Sequence, residues 1–222
     1  MSFFDTLVGR TRPEQAALLG VPQIVDGIQG RISRESYLHY LAEAYHHVRH
    51  TVPLMELARA RMDERHGAFV TALDEYIAEE TGHEAWILND IRAAGGDPDQ
   101  VAARRPGPAT QAMVHHAMET VGTGNPMSFF GMVFVLEGVS TQLASQGAEA
   151  IGQSLGLGPE CFTYLRSHGA LDVGHMAFFQ GLMEQVDDPA DQEAIVAMAR
   201  RIFVLFAEVF RSIPHRQELA HV

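Results

Sequence analysis

The chain has 222 residues, with 16 Lys plus Arg against 28 Asp plus Glu, for a formal charge of −12. Such an acidic balance, with no basic run, argues against nucleic acid and anionic membranes as partners. With 46% apolar residues the sequence can bury a core rather than stay disordered. The single cysteine, Cys161, excludes an intramolecular disulfide and a thiolate zinc site, and fits a reducing compartment. The first residues are too acidic, and their apolar run too short, for a signal peptide. No uncharged apolar stretch reaches the ~20 residues of a membrane span. A cytoplasmic protein without membrane contact is therefore expected. The 12 histidines are an excess, and histidine is the commonest metal ligand.

The pattern predicts helix throughout, because Ala, Leu, Met, Glu and Gln are plentiful and alternating β-branched runs are absent. Helices are expected over 13–19 and 22–29. A long one follows over 34–62, capped by Ser33 and kinked near Pro53. The next, 67–94, stops at Gly95-Gly96, and a loop rich in Pro, Gly and Arg covers 95–108. Helices over 109–121, 127–155, 160–186 and 190–212 complete the chain. No repeat or linker interrupts it, so residues 1–222 are expected to form one all-α domain, a bundle of about seven or eight helices.

Four segments carry chemistry. Glu137 is the only charged residue between Thr120 and Ala148. A carboxylate in so apolar a helix must be neutral, paired with a cation or metal-bound. His168, Asp172 and His175 follow at i, i+4 and i+7, on one helix face within an apolar seam. Two imidazoles and a carboxylate there are metal-ligand chemistry, with a buried His–Asp–His network as the plain alternative. Glu80 and His83 form a Glu-x-x-His pair on a seam with Leu73, Tyr76, Ile87 and Ile91, while Glu79 and Glu84 are expected to be solvated. The helix 34–62 offers Glu43, His46, His47 and His50; Glu43 and His50 lie opposite the main apolar stripe, on a side that Leu54 and Leu57 make partly apolar. These histidines are open to three roles: ligand, support for a ligand, or exposed cluster.

In chain order this is a Glu, a Glu-x-x-His, a Glu and an Asp-x-x-His, close to the di-metal carboxylate bundle. Carboxylates and imidazoles without thiolate suit iron or manganese over zinc.

On these residues, from about 20 to 212, the sequence resembles the heme-oxygenase-like diiron oxidases and oxygenases. That superfamily shares its helical fold with heme oxygenase, TenA thiaminases and the PQQ-biosynthesis C protein, and includes a chlamydial protein associating with death domains. The resemblance implies that Glu43, His83, Glu137, His168, Asp172 and His175 bind two Fe ions (Mn or a mixed pair as alternatives), with Glu80 as a further carboxylate. It implies an O2-dependent oxidation of a small organic substrate, an electron donor and a homodimer. His47, His50, Tyr76, Phe134 and Phe179 are expected around the site, with Phe129, Phe130 and Phe178 as further walls or plain core. Tyr40, Tyr76 and Trp86 are candidate redox neighbours. The alternatives are a TenA-like or cofactorless enzyme acting on a heterocycle, a heme protein using His39, and a metal-free binding protein. The TenA-like chemistry is disfavoured because no cysteine lies on the helix of Glu137.

Overall fold

The computed structural model describes residues 2–215, apart from the side chains of 170–173. Among the described residues there are eleven α-helices, three single 3-10 turns and no strand. The all-α expectation holds, but the chain is cut into more pieces than the expected seven or eight.

Helix α1 (Phe3–Leu19) begins ten residues earlier than the expected 13–19. Ser2 and Asp5 form a reciprocal capping box at its start, with bonds of 3.1 and 3.2 Å. Pro13 sits inside α1 rather than at its edge. Its fixed φ is already helical, and the face carrying Leu7 and Leu18 packs against the last helix. After α2 (Pro22–Ile28), Ser33 caps α3 (Arg34–Val48) through a 3.0 Å bond from the Ser36 amide.

The predicted long helix 34–62 is two helices. It breaks at Arg49 and His50 and resumes as α4 (Thr51–Arg61), with Pro53 in the first turn. A proline ring clashes with the carbonyl four residues back, here that of Arg49, so the helix stops there instead of kinking at Pro53. The predicted helix 67–94 also divides, into α5 (Gly67–Glu80) and α6 (His83–Ala93). Gly82 between them has φ +93°, a left-handed conformation that glycine adopts without a Cβ clash. The expected loop 95–108 contains a short helix, α7 (Pro98–Ala103), because Asp97 caps it and Pro98 takes its first position.

Helices α8 (Pro108–Thr123), α9 (Phe129–Leu155), α10 (Thr163–Met183) and α11 (Pro189–Arg211) build the body. Helix α9 runs through the middle and packs against α10, α11 and α2. At Gly131 it approaches α11 so closely that a Cβ would lie 2.3 Å from the Ile195 carbonyl oxygen. The segment Pro126–Leu155 is long and apolar enough to cross a membrane by length and composition, although Glu137 divides it. Its most apolar window is 61% buried among the other helices, so much of its apolar character serves the core.

Candidate metal centre

The left-handed turn at Gly82 folds the start of α6 back on the end of α5. It brings Nδ1 of His83 to 3.0 Å from Oε2 of Glu80, and both side chains are buried. His168 of α10 completes the group: Glu80, His83 and His168 each place a ligating atom within 4.8 Å of the others. Two aromatic residues hold the imidazoles. Trp86, one turn beyond His83, stacks on it with ring centroids 3.9 Å apart, and Tyr164 lies edge-on to His168 at 4.9 Å. Asp90, absent from the sequence expectations, fixes the start of α10: its carboxylate accepts from the Thr163 and Tyr164 amides at 3.0 and 2.8 Å. Burial pushes the Asp90 pKa up, opposed by those amides.

A second pair lies beside the group. Nδ1 of His175, two turns along α10 from His168, is 3.7 Å from Oε1 of Glu137 on α9. The other nitrogen, Nε2, is 2.8 Å from Oε2 of Glu79. Glu79 is thus exposed but not merely solvated: from the rim it holds the outer nitrogen of His175 and leaves the inner one facing Glu137. A carboxylate on the far nitrogen of an imidazole fixes its tautomer and raises its basicity as a ligand. Tyr76 packs edge-on to His175 at 5.4 Å. Asp172 lies on α10 between the two histidines, and its side chain is outside the described residues.

Glu43 is not brought to this cluster. It is buried, and its carboxylate accepts from Arg104 at 2.8 Å, from the Gly107 amide at 3.0 Å and from the Thr110 hydroxyl at 2.6 Å. Those partners sit at and just before the start of α8, so Glu43 ties α3 to that helix end. Its buried charge is answered by a cation and hydrogen bonds, the alternative to a metal that holds for any buried carboxylate.

The histidines of α3 divide as well. His50 occupies the break before α4, and burial followed by the Arg49 charge lowers its pKa. His46 is buried beside Glu43, and burial lowers it too. His47 faces the interior. Burial, with smaller contributions from His168, His50 and His46, pushes it down to about 4, so it is neutral near pH 7.

Two cavities meet at this place. The smaller, about 80 Å³, is lined by Glu80, Glu137, His168, His47, Phe129 and Met132 among others. The larger, about 130 Å³, is walled mainly by Ile24, Ile28, Leu143, Ile151, Phe206 and Phe210. His47, Leu136, Ser140, Tyr164 and His168 line both. Of the expected pocket residues, His47 does line the cavities. His50 does not, and Tyr76 meets the site through His175. Phe134 and Phe179 stack on each other at 6.1 Å in the core and line neither cavity, as does Phe130. Phe178 is 41% exposed. Tyr40 lines the larger cavity, and burial raises its pKa.

The donor set fits iron: buried carboxylates and imidazoles, no thiolate, and a cavity beside them. Residues 38–206 match the family described as iron-containing redox enzyme. The chain belongs to that family. A search of curated proteins finds no match. Among solved structures the chain resembles a domain of unknown function with a heme oxygenase-like fold from Shewanella denitrificans OS217, at 23% identity and a TM-score of 0.87, covering 98% of this chain and 93% of that one. It also resembles a TenA homologue from Pseudomonas syringae pv. tomato DC3000 (12% identity, TM-score 0.81, covering 94% and 91%). A third likeness is to heme oxygenase-1 from Synechocystis in complex with heme (14%, TM-score 0.76, covering 100% and 95%). These place the family member in the heme oxygenase-like fold.

Proposed function

We propose that this iron-containing redox family member is an O2-dependent non-haem oxidase or oxygenase. Glu80, His83 and His168, with Glu137 and His175 beside them, would hold two iron ions, manganese or a mixed pair being the alternatives. The observation that carries the reading is the Glu80–His83–His168 group, its first two residues buried, whose ligating atoms lie within 4.8 Å of one another beside a cavity that Glu80 and His168 line. Bound there, iron supplies the O2 and electron-transfer chemistry that these side chains do not perform alone.

The chain's own residues do the rest. Glu80 and Glu137 bring negative charge to offset that of a bound cation. Glu80 orients His83 through its contact with Nδ1, which keeps the two donors together, and the Trp86 stack keeps the ring from turning. Glu79 sets His175 in the same way. Met132, Val133 and Leu136 line the small cavity and limit water beside the donors. The partners of this reading are O2, a small organic substrate and an electron donor.

The rival reading is a metal-free or TenA-like activity on the same fold. The direct Glu80–His83 bond is the observation in its favour, since the pair is satisfied without a cation. Against a thiol nucleophile, α9 carries no cysteine, and Cys161 is buried in the turn before α10 with its pKa raised by that burial. Anaerobic Fe(II) titration followed by stopped-flow mixing with O2 separates the readings. Binding of about two irons per chain and an O2-dependent visible transient is the expected result. No binding, with catalysis persisting after iron removal, overturns it.

A further inference from the structure

The five residues shared by the two cavities form a waist between the donor cluster and the larger chamber. Two polar atoms on that waist have no hydrogen-bond partner among the described residues: Nδ1 of His47 and Oγ of Ser140. Both atoms are buried, and His47 as a whole residue is only 5% exposed. A buried polar group left unpaired costs about 1–3 kcal/mol. Two of them facing one opening therefore point to a hydrogen-bonding guest that arrives from outside the chain.

The chamber beyond the waist restricts that guest. None of its lining residues is Asp, Glu, Lys or Arg, and its titratable groups are His47, His168 and His215 with the phenols of Tyr40 and Tyr164. An ionised carboxylate would lose its hydration there, meet no Lys or Arg, and face Glu80 and Glu137 across the waist, a large penalty in an apolar site. The walls supply aliphatic and phenyl carbon instead. The volume of about 130 Å³ is close to that of an engineered cavity of about 150 Å³ that holds benzene.

We propose that the substrate is an uncharged amphipathic molecule. Its hydrocarbon body of about six carbons fills the chamber, and its hydroxyl-like head sits at the waist, hydrogen-bonded by Ser140 and His47. The head then lies against His168, and the carbon that bears it is the part of the molecule nearest the donor cluster. Naming this guest a substrate rests on the redox reading above, whereas its binding does not require iron. His47 and Ser140 are specificity residues in this account. His47 is present among the sequence expectations; Ser140 is not, because a serine inside an apolar helix carries no local signal of what it faces.

Calorimetric titration of the metal-free protein with hexan-1-ol, hexanoate and n-hexane tests the proposal. The alcohol is expected to bind at least roughly tenfold more tightly than the carboxylate. Ser140→Ala, which keeps the helix and removes one hydroxyl, is expected to weaken the alcohol roughly two- to tenfold and to leave n-hexane unchanged. Leu143→Trp fills the chamber and is expected to abolish binding of all three probes, while Fe(II) uptake, read separately by anaerobic equilibrium dialysis, stays intact. Circular dichroism establishes that each variant is folded. Hexanoate binding as tightly as hexan-1-ol, or alcohol binding indifferent to Ser140→Ala, overturns the proposal. Loss of Fe(II) uptake in the unaltered protein would overturn the redox reading alone.

Discussion

Glu43 and Glu80 are both buried glutamates on helices of the same bundle, yet their surroundings differ in kind. Glu43 has a guanidinium, an amide and a hydroxyl within 3.0 Å. Glu80 has one imidazole at 3.0 Å, a second within 4.8 Å, and a cavity beside it. The first arrangement is complete with protein atoms and holds two helices together. The second converges several donors on one place and, among the described residues, shows no Arg or Lys pairing with Glu80. The difference teaches that burial of a carboxylate does not mark a metal ligand. What marks it is convergence of further donors where a counter-charge is absent.

Substitutions at the two places should separate along that line. The largest effect is expected at the open cluster: His83→Ala or His168→Ala should lower Fe(II) affinity by more than about 100-fold, since even groups that only support a ligand are worth 10–100-fold. Trp86 is the single tryptophan and stacks on His83, so the quenching of its fluorescence by Fe(II) reads this directly. Glu43→Ala should act the other way. It leaves the Gly107 amide and the Thr110 hydroxyl without their acceptor and should cost about 2–4 kcal/mol in urea unfolding, with iron uptake unchanged.

Imidazoles sharpen the same contrast. His47 is buried with no carboxylate partner and is held down to about 4, below its ordinary 6.5. Its folded pKa is depressed, so the fold binds fewer protons than the unfolded chain between those values. The metal-free protein should hold full stability above pH 6.5 and lose about 2–3 kcal/mol of it as pH falls to 4. His47→Gln should flatten that part of the acid limb. His215 is the opposite case, paired with Asp26 at 2.7 Å. The Arg31 hydrogen bond first, and then His215, lowers the Asp26 pKa below its ordinary 3.8. This contribution is present above that value and lost as pH falls through the lower folded one. Asp26→Asn should remove it, a loss of about 0.5–1 kcal/mol near neutral pH that disappears as stability is titrated into acid.

Much of the fold and part of the site are written in local pattern. Ser33 marked the start of α3 and the apolar periods marked the helices, whereas Glu80 and His83, read as one face of a single helix, are joined across the corner at Gly82. The breaks were harder to read. Thr81-Gly82 lies inside an unbroken apolar period, and only the backbone freedom of a single glycine turns it into a corner. Pro53 was visible, but its clash acts one turn earlier, at Arg49. The partner of Glu43 was hidden for a different reason: Arg104, which answers its charge, lies 61 residues away in a segment read as loop. Pairing over that distance leaves no trace in spacing. Glu79 and Asp90 escaped for the same reason, since each acts on α10 from another helix.

The central claim is that the site is built on Glu80 and not on Glu43. Fe(II) stoichiometry by anaerobic equilibrium dialysis of Glu43→Gln and Glu80→Gln tests it most directly. The account predicts that Glu43→Gln keeps the iron content of the unaltered protein and that Glu80→Gln loses at least half of it. Iron lost in Glu43→Gln and retained in Glu80→Gln would contradict it.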